Sequence, residues 1–359
     1  MTVLVHPMTA GGLLARLLVV AAGVLAVLGL ADPALAHTGG GAAASNYDGR
    51  VTSVTPAMPG VEVRVLSFGD EFELANRGST EVLVPGYSDE PYLRIGPDGV
   101  WRNRNSPATY INEDRYADVE LPARASATAA PDWEQVSTEP AYAWHDHRIH
   151  FMGEGVLPPM VAADPDRAHT VFEWAVPLVH GDTEVTVRGA LTWEPPLSPW
   201  TGWPAYAAIT LVAVAAGLLA RGPRPLGALL AVGAAAALWH AAATPEPPVS
   251  QGTHAGAIAT AMLTALITAV VAGVGWRASR QGRGATTGLT AVMVGWLLLL
   301  QGLSHIEVLR LANVLSNGPA WAARIAVALL VPLGLGLVAG GLAALRRFRE
   351  PQPATPPDE

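Results

Sequence analysis

The 359-residue chain contains no cysteine, and all 22 of its basic residues are arginine, since lysine is absent. The first absence excludes disulfides, thiolate metal sites, cysteine nucleophiles and the blue-copper type of centre, each of which needs a cysteine sulfur. Any chemistry must therefore use histidine, methionine, carboxylate or backbone groups. Charge is also scarce, at 14% of residues against 50% hydrophobic, a balance that argues against a wholly soluble protein. Thirty acids outnumber the arginines to give a net charge of −8, so nucleic acid is not an expected partner. The sequence has no P-loop, no Gly-x-Ser-x-Gly and no His-Glu-x-x-His. ATP-driven pumping, serine hydrolysis and zincin proteolysis thus lack support.

What charge there is divides the chain. Residues 37–203 hold 24 acids and 11 arginines, a net of −13, whereas the remainder holds 11 arginines and 6 acids, a net of +5. The first 36 residues carry Arg16, an apolar run over 17–30 and then Ala34-Leu35-Ala36, a small-x-small site. This is the pattern of a secretory signal peptide, the alternative being an uncleaved first membrane helix. Cleavage after Ala36 would leave His37 as the first residue of the mature protein.

Beyond residue 203 five apolar stretches are long enough to span a bilayer, near 204–220, 225–243, 254–276, 285–304 and 320–345. Arg221 and Arg224 fall between the first and second, Arg277, Arg280 and Arg283 between the third and fourth, and Arg346, Arg347 and Arg349 after the fifth. The positive-inside rule sends these turns to the cytoplasm and the other loops outside, which agrees with an exported amino-terminal domain. The expectation is a multi-pass cell-membrane protein: an exported domain over 37–193, a Pro-rich linker over 194–203, an all-α five-helix transmembrane domain over 204–345 in contact with lipid, and a short cytoplasmic tail over 346–359.

Within the exported region the periodicity changes to two, as in Val61-Glu62-Val63-Arg64-Val65 and Glu71-Phe72-Glu73-Leu74. Further strands are expected near 81–84, 92–95, 141–149, 170–176 and 184–193, separated by turn formers such as Asn76-Arg77-Gly78 and Pro97-Asp98-Gly99, with a long loop over much of 103–140. Seven or more short strands in about 160 residues suggest an all-β antiparallel sandwich, immunoglobulin-like or cupredoxin-like.

Ten histidines remain to be explained. In Trp144-His145-Asp146-His147-Arg148-Ile149-His150-Phe151-Met152, His145 and His147 lie two apart. On a strand they would share a face with side chains roughly 7 Å apart, close enough for one ion. His150 has the opposite parity and joins only if the strand bends, while Asp146 and Met152 are secondary candidates. Met152 and Met160 would suit Cu(I), although methionine more often fills core gaps. A free amino-terminal His37 offers its α-amine and ring Nδ1 to a single metal, the arrangement called a histidine brace. Three imidazoles and an amine without thiolate suit tetragonal Cu(II), with zinc as the alternative. The competing reading makes these histidines solvated hydrogen-bonding groups. His240, His254 and His305 fall at the outer ends of membrane helices and form a candidate second site, or else are interfacial residues in contact with water and headgroups.

An exported β-domain that opens with His37 and carries Trp144-His145-Asp146-His147 resembles the amino-terminal cupredoxin domain of the particulate methane and ammonia monooxygenases. That resemblance implies copper ligation by His37, His145 and His147. The mature amino-terminal histidine and the Asp146-His147 pair are also similar to the copper-resistance periplasmic family. The likeness covers His37 and about a dozen residues from Trp144 onward, so ligand type is carried over and catalysis is not. Three functions follow as expectations: a membrane-anchored envelope protein for copper capture, transfer or sensing, working with other envelope proteins; a component of a copper-dependent oxidase or monooxygenase; and a non-metal interaction module of the envelope.

Overall fold

The period-two segments form an antiparallel β-region in a computed structural model that describes residues 43–249 and 252–348. The expected leader, His37 and most of the tail lie outside the described residues. The strands are β1 (Ala43–Ser45), β2 (Tyr47–Thr55), β3 (Val61–Leu66), β4 (Glu71–Asn76), β5 (Val82–Pro85), β6 (Pro91–Gly96), β7 (Gly99–Asn103), β8 (Trp133–Ser137), β9 (Ala141–Trp144), β10 (His169–His180) and β11 (Thr183–Trp193). Two short helices interrupt them, α1 (Ala108–Ile111) and α2 (Pro159–Ala163). A seven-stranded sheet runs in the order β2-β11-β10-β5-β6-β7-β8, and a three-stranded sheet in the order β3-β4-β9. The longest pair, β10 with β11, is closed by a two-residue turn at Gly181-Asp182, where Gly181 takes the positive φ of 63° that such a turn requires. Phe72, Leu74 and Trp144 from the small sheet share one buried cluster with Leu93, Ile95, Val176 and Val187 from the large one. Residues of both sheets thus meet in one apolar core, whose burial stabilises the region.

The region expected as a long loop over 103–140 is more ordered than its composition suggests. It contains α1 and β8, and Asn103 anchors it, donating from Nδ2 to Pro91 O at 2.7 Å and accepting from the backbone of Asn105 and Asp132.

After the β-region come five helices long and apolar enough to cross a membrane. They are α3 (Pro199–Leu218), α4 (Arg224–Ala242), α5 (His254–Arg280), α6 (Gly284–Leu303) and α7 (Ala320–Arg347). The expected linker is shorter than 194–203, because Ser198 and Pro199 already start α3. Proline at the first helical position loses no hydrogen bond and has its φ preset for a helix. The arginines of the two short turns, 219–223 and 281–283, and of the end of α7 fall at one end of the bundle, where Arg347 donates to Gly217 O and Ala220 O. Trp200, Trp203, Trp239 and Trp321 stand exposed at the other end, as interfacial aromatics do. Helices α3 and α7 approach backbone to backbone: a Cβ added at Gly217 would lie 1.9 Å from Gly340 O. Small residues permit such contact where apolar burial offers no drive between helices.

The β-region sits directly on the tryptophan end of the bundle. Between α6 and α7 lie a 3₁₀ turn (Ile306–Leu309) and a last strand, β12 (Asn313–Leu315), and β12 pairs antiparallel with β1. Leu197 N donates to Arg310 O and Ala312 N donates to Asn46 Oδ1. A second clamp forms where buried Glu73 of β4 accepts from Val249 N at 2.5 Å and from Arg64 Nε at 2.7 Å, with Arg64 Nη1 3.2 Å from Glu246 of the α4–α5 loop.

Candidate metal centre

Strand β9 stops at Trp144, so His145 and His147 do not share a strand face as their spacing suggested. The cause is the residue between them. Asp146, fully buried, turns its carboxylate back on the chain and accepts at Oδ1 from Arg148 N at 3.1 Å and Arg148 Nε at 2.8 Å. Its Oδ2 accepts from Arg148 Nη2 at 2.6 Å and from Trp144 Nε1 at 2.9 Å. An aspartate that bonds the amide two residues on replaces the ladder with a turn, and Ile149 N closes that turn on Asp146 O at 3.0 Å. Burial alone would raise the Asp146 carboxyl, but hydrogen bonding and charge from Arg148 outweigh it and hold the group below its ordinary range. With both oxygens engaged, Asp146 organises the turn and is not positioned as a ligand.

The turn carries its imidazoles to groups far away in sequence. His145 Nδ1 lies 3.2 Å from Asp70 O, at the start of β4, and 3.7 Å from the Asp70 carboxylate. His147 Nε2 lies 2.9 Å from Asp114 O in the segment after α1. A carbonyl only accepts, so each of these bonds places the ring proton on that nitrogen and leaves the lone pair on the other, Nε2 of His145 and Nδ1 of His147. His147 also stacks on Tyr87, with centroids 5.9 Å apart, and meets the His150 ring edge-on at 5.2 Å. Desolvation lowers the His147 pKa and pushes that of His150 down to about 4, so both rings are held neutral, the form that binds metal. Asp114 is lowered instead, by the backbone amides of Asp118 and Tyr116 that donate to its carboxylate.

His150 is buried, its Nε2 has no hydrogen-bond partner among the described residues, and it lines a cavity of about 310 Å³ with Ser45, Tyr47, Asp70, Arg115 and Tyr116. Asp70 is paired there with Arg115. Met152 and Met160 are exposed. At the tryptophan end of the bundle the His240 and His305 rings meet at 4.8 Å, whereas His254 turns its Nε2 to Thr244 O at 2.8 Å and lines a different cavity with Arg64 and Glu246. Among the described residues no three His, Asp or Glu side chains converge to hold a metal ion. Asp70, Asp114, Arg115 and Tyr87 were not singled out from the sequence. They lie roughly 30 to 75 positions from the histidines, and no local spacing marks them.

No protein-family model matches the chain, and neither a curated protein nor a solved structure matches it.

Proposed function

We propose that the protein is a membrane-anchored copper-binding protein of the cell envelope. Its exported β-region, a sandwich of the immunoglobulin or cupredoxin kind, holds Cu(II) through His145 Nε2, His147 Nδ1 and the brace of an amino-terminal His37, and serves copper capture, transfer or sensing. The observation that carries this reading is the outer partner of each imidazole. His145 and His147 each commit one nitrogen to a backbone carbonyl, at 3.2 and 2.9 Å, which is how metal-ligating histidines are oriented and made more basic. Five residues lie between His37 and Ala43 at the start of β1, and the six steps reach at most about 20 Å when extended. Ser45 and Tyr47, just beyond, line the cavity that His150 also lines. His150 is then the spare imidazole of the cluster. Copper in such a site acts as a bound ion that the chain holds and positions, and a catalytic role needs an open coordination position and a reductant.

The test is Cu(II) competition titration of the full chain in detergent. Wild type should bind one tight equivalent, the His145→Ala/His147→Ala double variant should lose it, and a chain with one residue added before a mature His37 should bind weakly. Unchanged affinity in the double variant refutes the assignment. Oxygen uptake with an added reductant separates binding from the oxidase-like alternative, and tight zinc binding without copper preference would replace the metal.

A further inference from the structure

His240 and His305 make a second, different cluster. His240 lies in the last turn of α4 and His305 follows the end of α6, each seven residues beyond Gly233 and Leu298, where a Cβ on Gly233 would lie 2.9 Å from the Leu298 side chain. Both helices end on the same side of the bundle, and the two rings meet at 4.8 Å with 63° between planes. His240 is 2% exposed, and neither of its ring nitrogens has a hydrogen-bond partner among the described residues. Four other imidazoles, those of His145, His147, His169 and His254, each tie a nitrogen to a backbone carbonyl, and His150 and His180 each leave Nε2 alone unpartnered among the described residues. A buried ring that leaves both polar atoms unanswered calls for an explanation, and ion binding is one of the few available. Gln301 of α6 does not answer it, because it spends its amide on Thr268 Oγ1 at 2.9 Å and on Leu297 O at 2.8 Å.

We propose that His240 and His305 form a two-imidazole site for Cu(I). The donor set selects the ion. Zn(II) seeks four donors and Cu(II) a tetragonal set, and either would bring two positive charges to a place where, among the described residues, no carboxylate joins the pair. Cu(I) carries one charge, has a filled d shell and is satisfied by two neutral nitrogens. His254 is not part of this site. It lines the cavity of about 650 Å³ between β-region and bundle, together with Asn317, whose backbone N–H is bonded to Ala243 O three residues past His240. That cavity abuts the end of the helix bearing His240 and supplies the approach from the β-region.

The site rests on the function proposed above only in its choice of copper, and the experiment separates the two. Full-length protein carrying His145→Ala/His147→Ala, in detergent and under anaerobic conditions, is titrated with Cu(I) against a chromophoric chelator. One equivalent should bind, with X-ray absorption showing two nitrogen neighbours. Adding His240→Leu or the partly exposed His305→Gln should weaken binding at least tenfold, and adding His254→Ala should leave it unchanged. Without copper, His240→Leu should melt at or above the parent temperature, since it removes unsatisfied polar atoms from an apolar place. Copper should then raise the melting temperature of the parent and not of the variant. No Cu(I) bound by the parent, or undiminished binding in both variants, overturns this inference and leaves the Cu(II) proposal standing. Cu(II) binding that survives the double alanine change overturns that proposal alone.

Discussion

Replacing Asp146 with alanine tests the feature that shapes the histidine turn. Asp146 is fully buried, and the Arg148 side chain that grips it with two hydrogen bonds is only 19% exposed. Removing one partner of a buried ion pair strands the other charge, at a cost of about 3–5 kcal/mol. Trp144 Nε1 and Arg148 N lose their acceptor as well. The Tyr87 ring, 5.2 Å beneath the guanidinium, retains part of the stabilisation of Arg148. A net loss of about 4 kcal/mol is expected, most of the margin of a marginal fold. At about 2–4 °C per kcal/mol for a region of this size, that is a fall of roughly 8–16 °C in melting temperature. Intrinsic tryptophan fluorescence of the full chain in detergent is the assay, because the buried ring of Trp144 hydrogen-bonds the missing group. Asp146→Asn keeps the shape and one acceptor and should lose about half as much, and Asp146→Leu with Arg148→Met should recover most of the loss, since no charge is then stranded. The acid limb gives a second check. A carboxyl held below its ordinary range stabilises the fold above the ordinary value near 3.9 and stops doing so as pH falls through its folded pKa, so this part of the acid sensitivity should vanish in the alanine variant. A fall of less than about 3 °C for Asp146→Ala would refute the reasoning.

His150 predicts a separate acid effect at higher pH. Its folded pKa of about 4 reflects desolvation, opposed by Asp70 and reinforced by His147 and Arg115. The unfolded chain takes up a proton near 6.5 while the folded one does not, so stability should decline from pH 6.5 toward 4 by about 3 kcal/mol. His150→Leu should flatten that decline in a pH series of melts. Glu73→Gln weakens the clamp to Val249 and Arg64. Limited proteolysis should then cut the 245–249 segment at least several-fold faster while the β-region stays folded, and an unchanged rate would show that the Glu73 clamp does not restrain this segment. Reporter fusions should place the β-region outside and the carboxyl terminus in the cytoplasm, as the arginines at one end of the bundle require. A carboxy-terminal fusion active only outside the membrane would contradict the helix count.

The five long helices and most of the central strands were legible in the sequence, because each is specified by its own residues; the interior strand β7, which opens on the turn residue Gly99, was not. The starts of α4 to α7 agree with the apolar runs to within a residue. The central strands β4, β6, β10 and β11 alternate or run apolar because one or both of their faces must be buried. The edge strands β2 and β8 escaped notice because between them only one residue is buried, so little requires their residues to alternate. Only the tertiary structure decided the rest. Pairing of β1 with β12 joins segments some 270 residues apart, and no local pattern encodes such a contact. Spacing put His145 and His147 on one strand face, but Asp146 found buried partners in Trp144 and Arg148 that outcompete the ladder and turn the chain. Topology put His240, His254 and His305 at one depth. Side-chain hydrogen bonding then separated them, because His254 reached the carbonyl of Thr244 while His240 met the ring of His305 and, among the described residues, no hydrogen-bond partner.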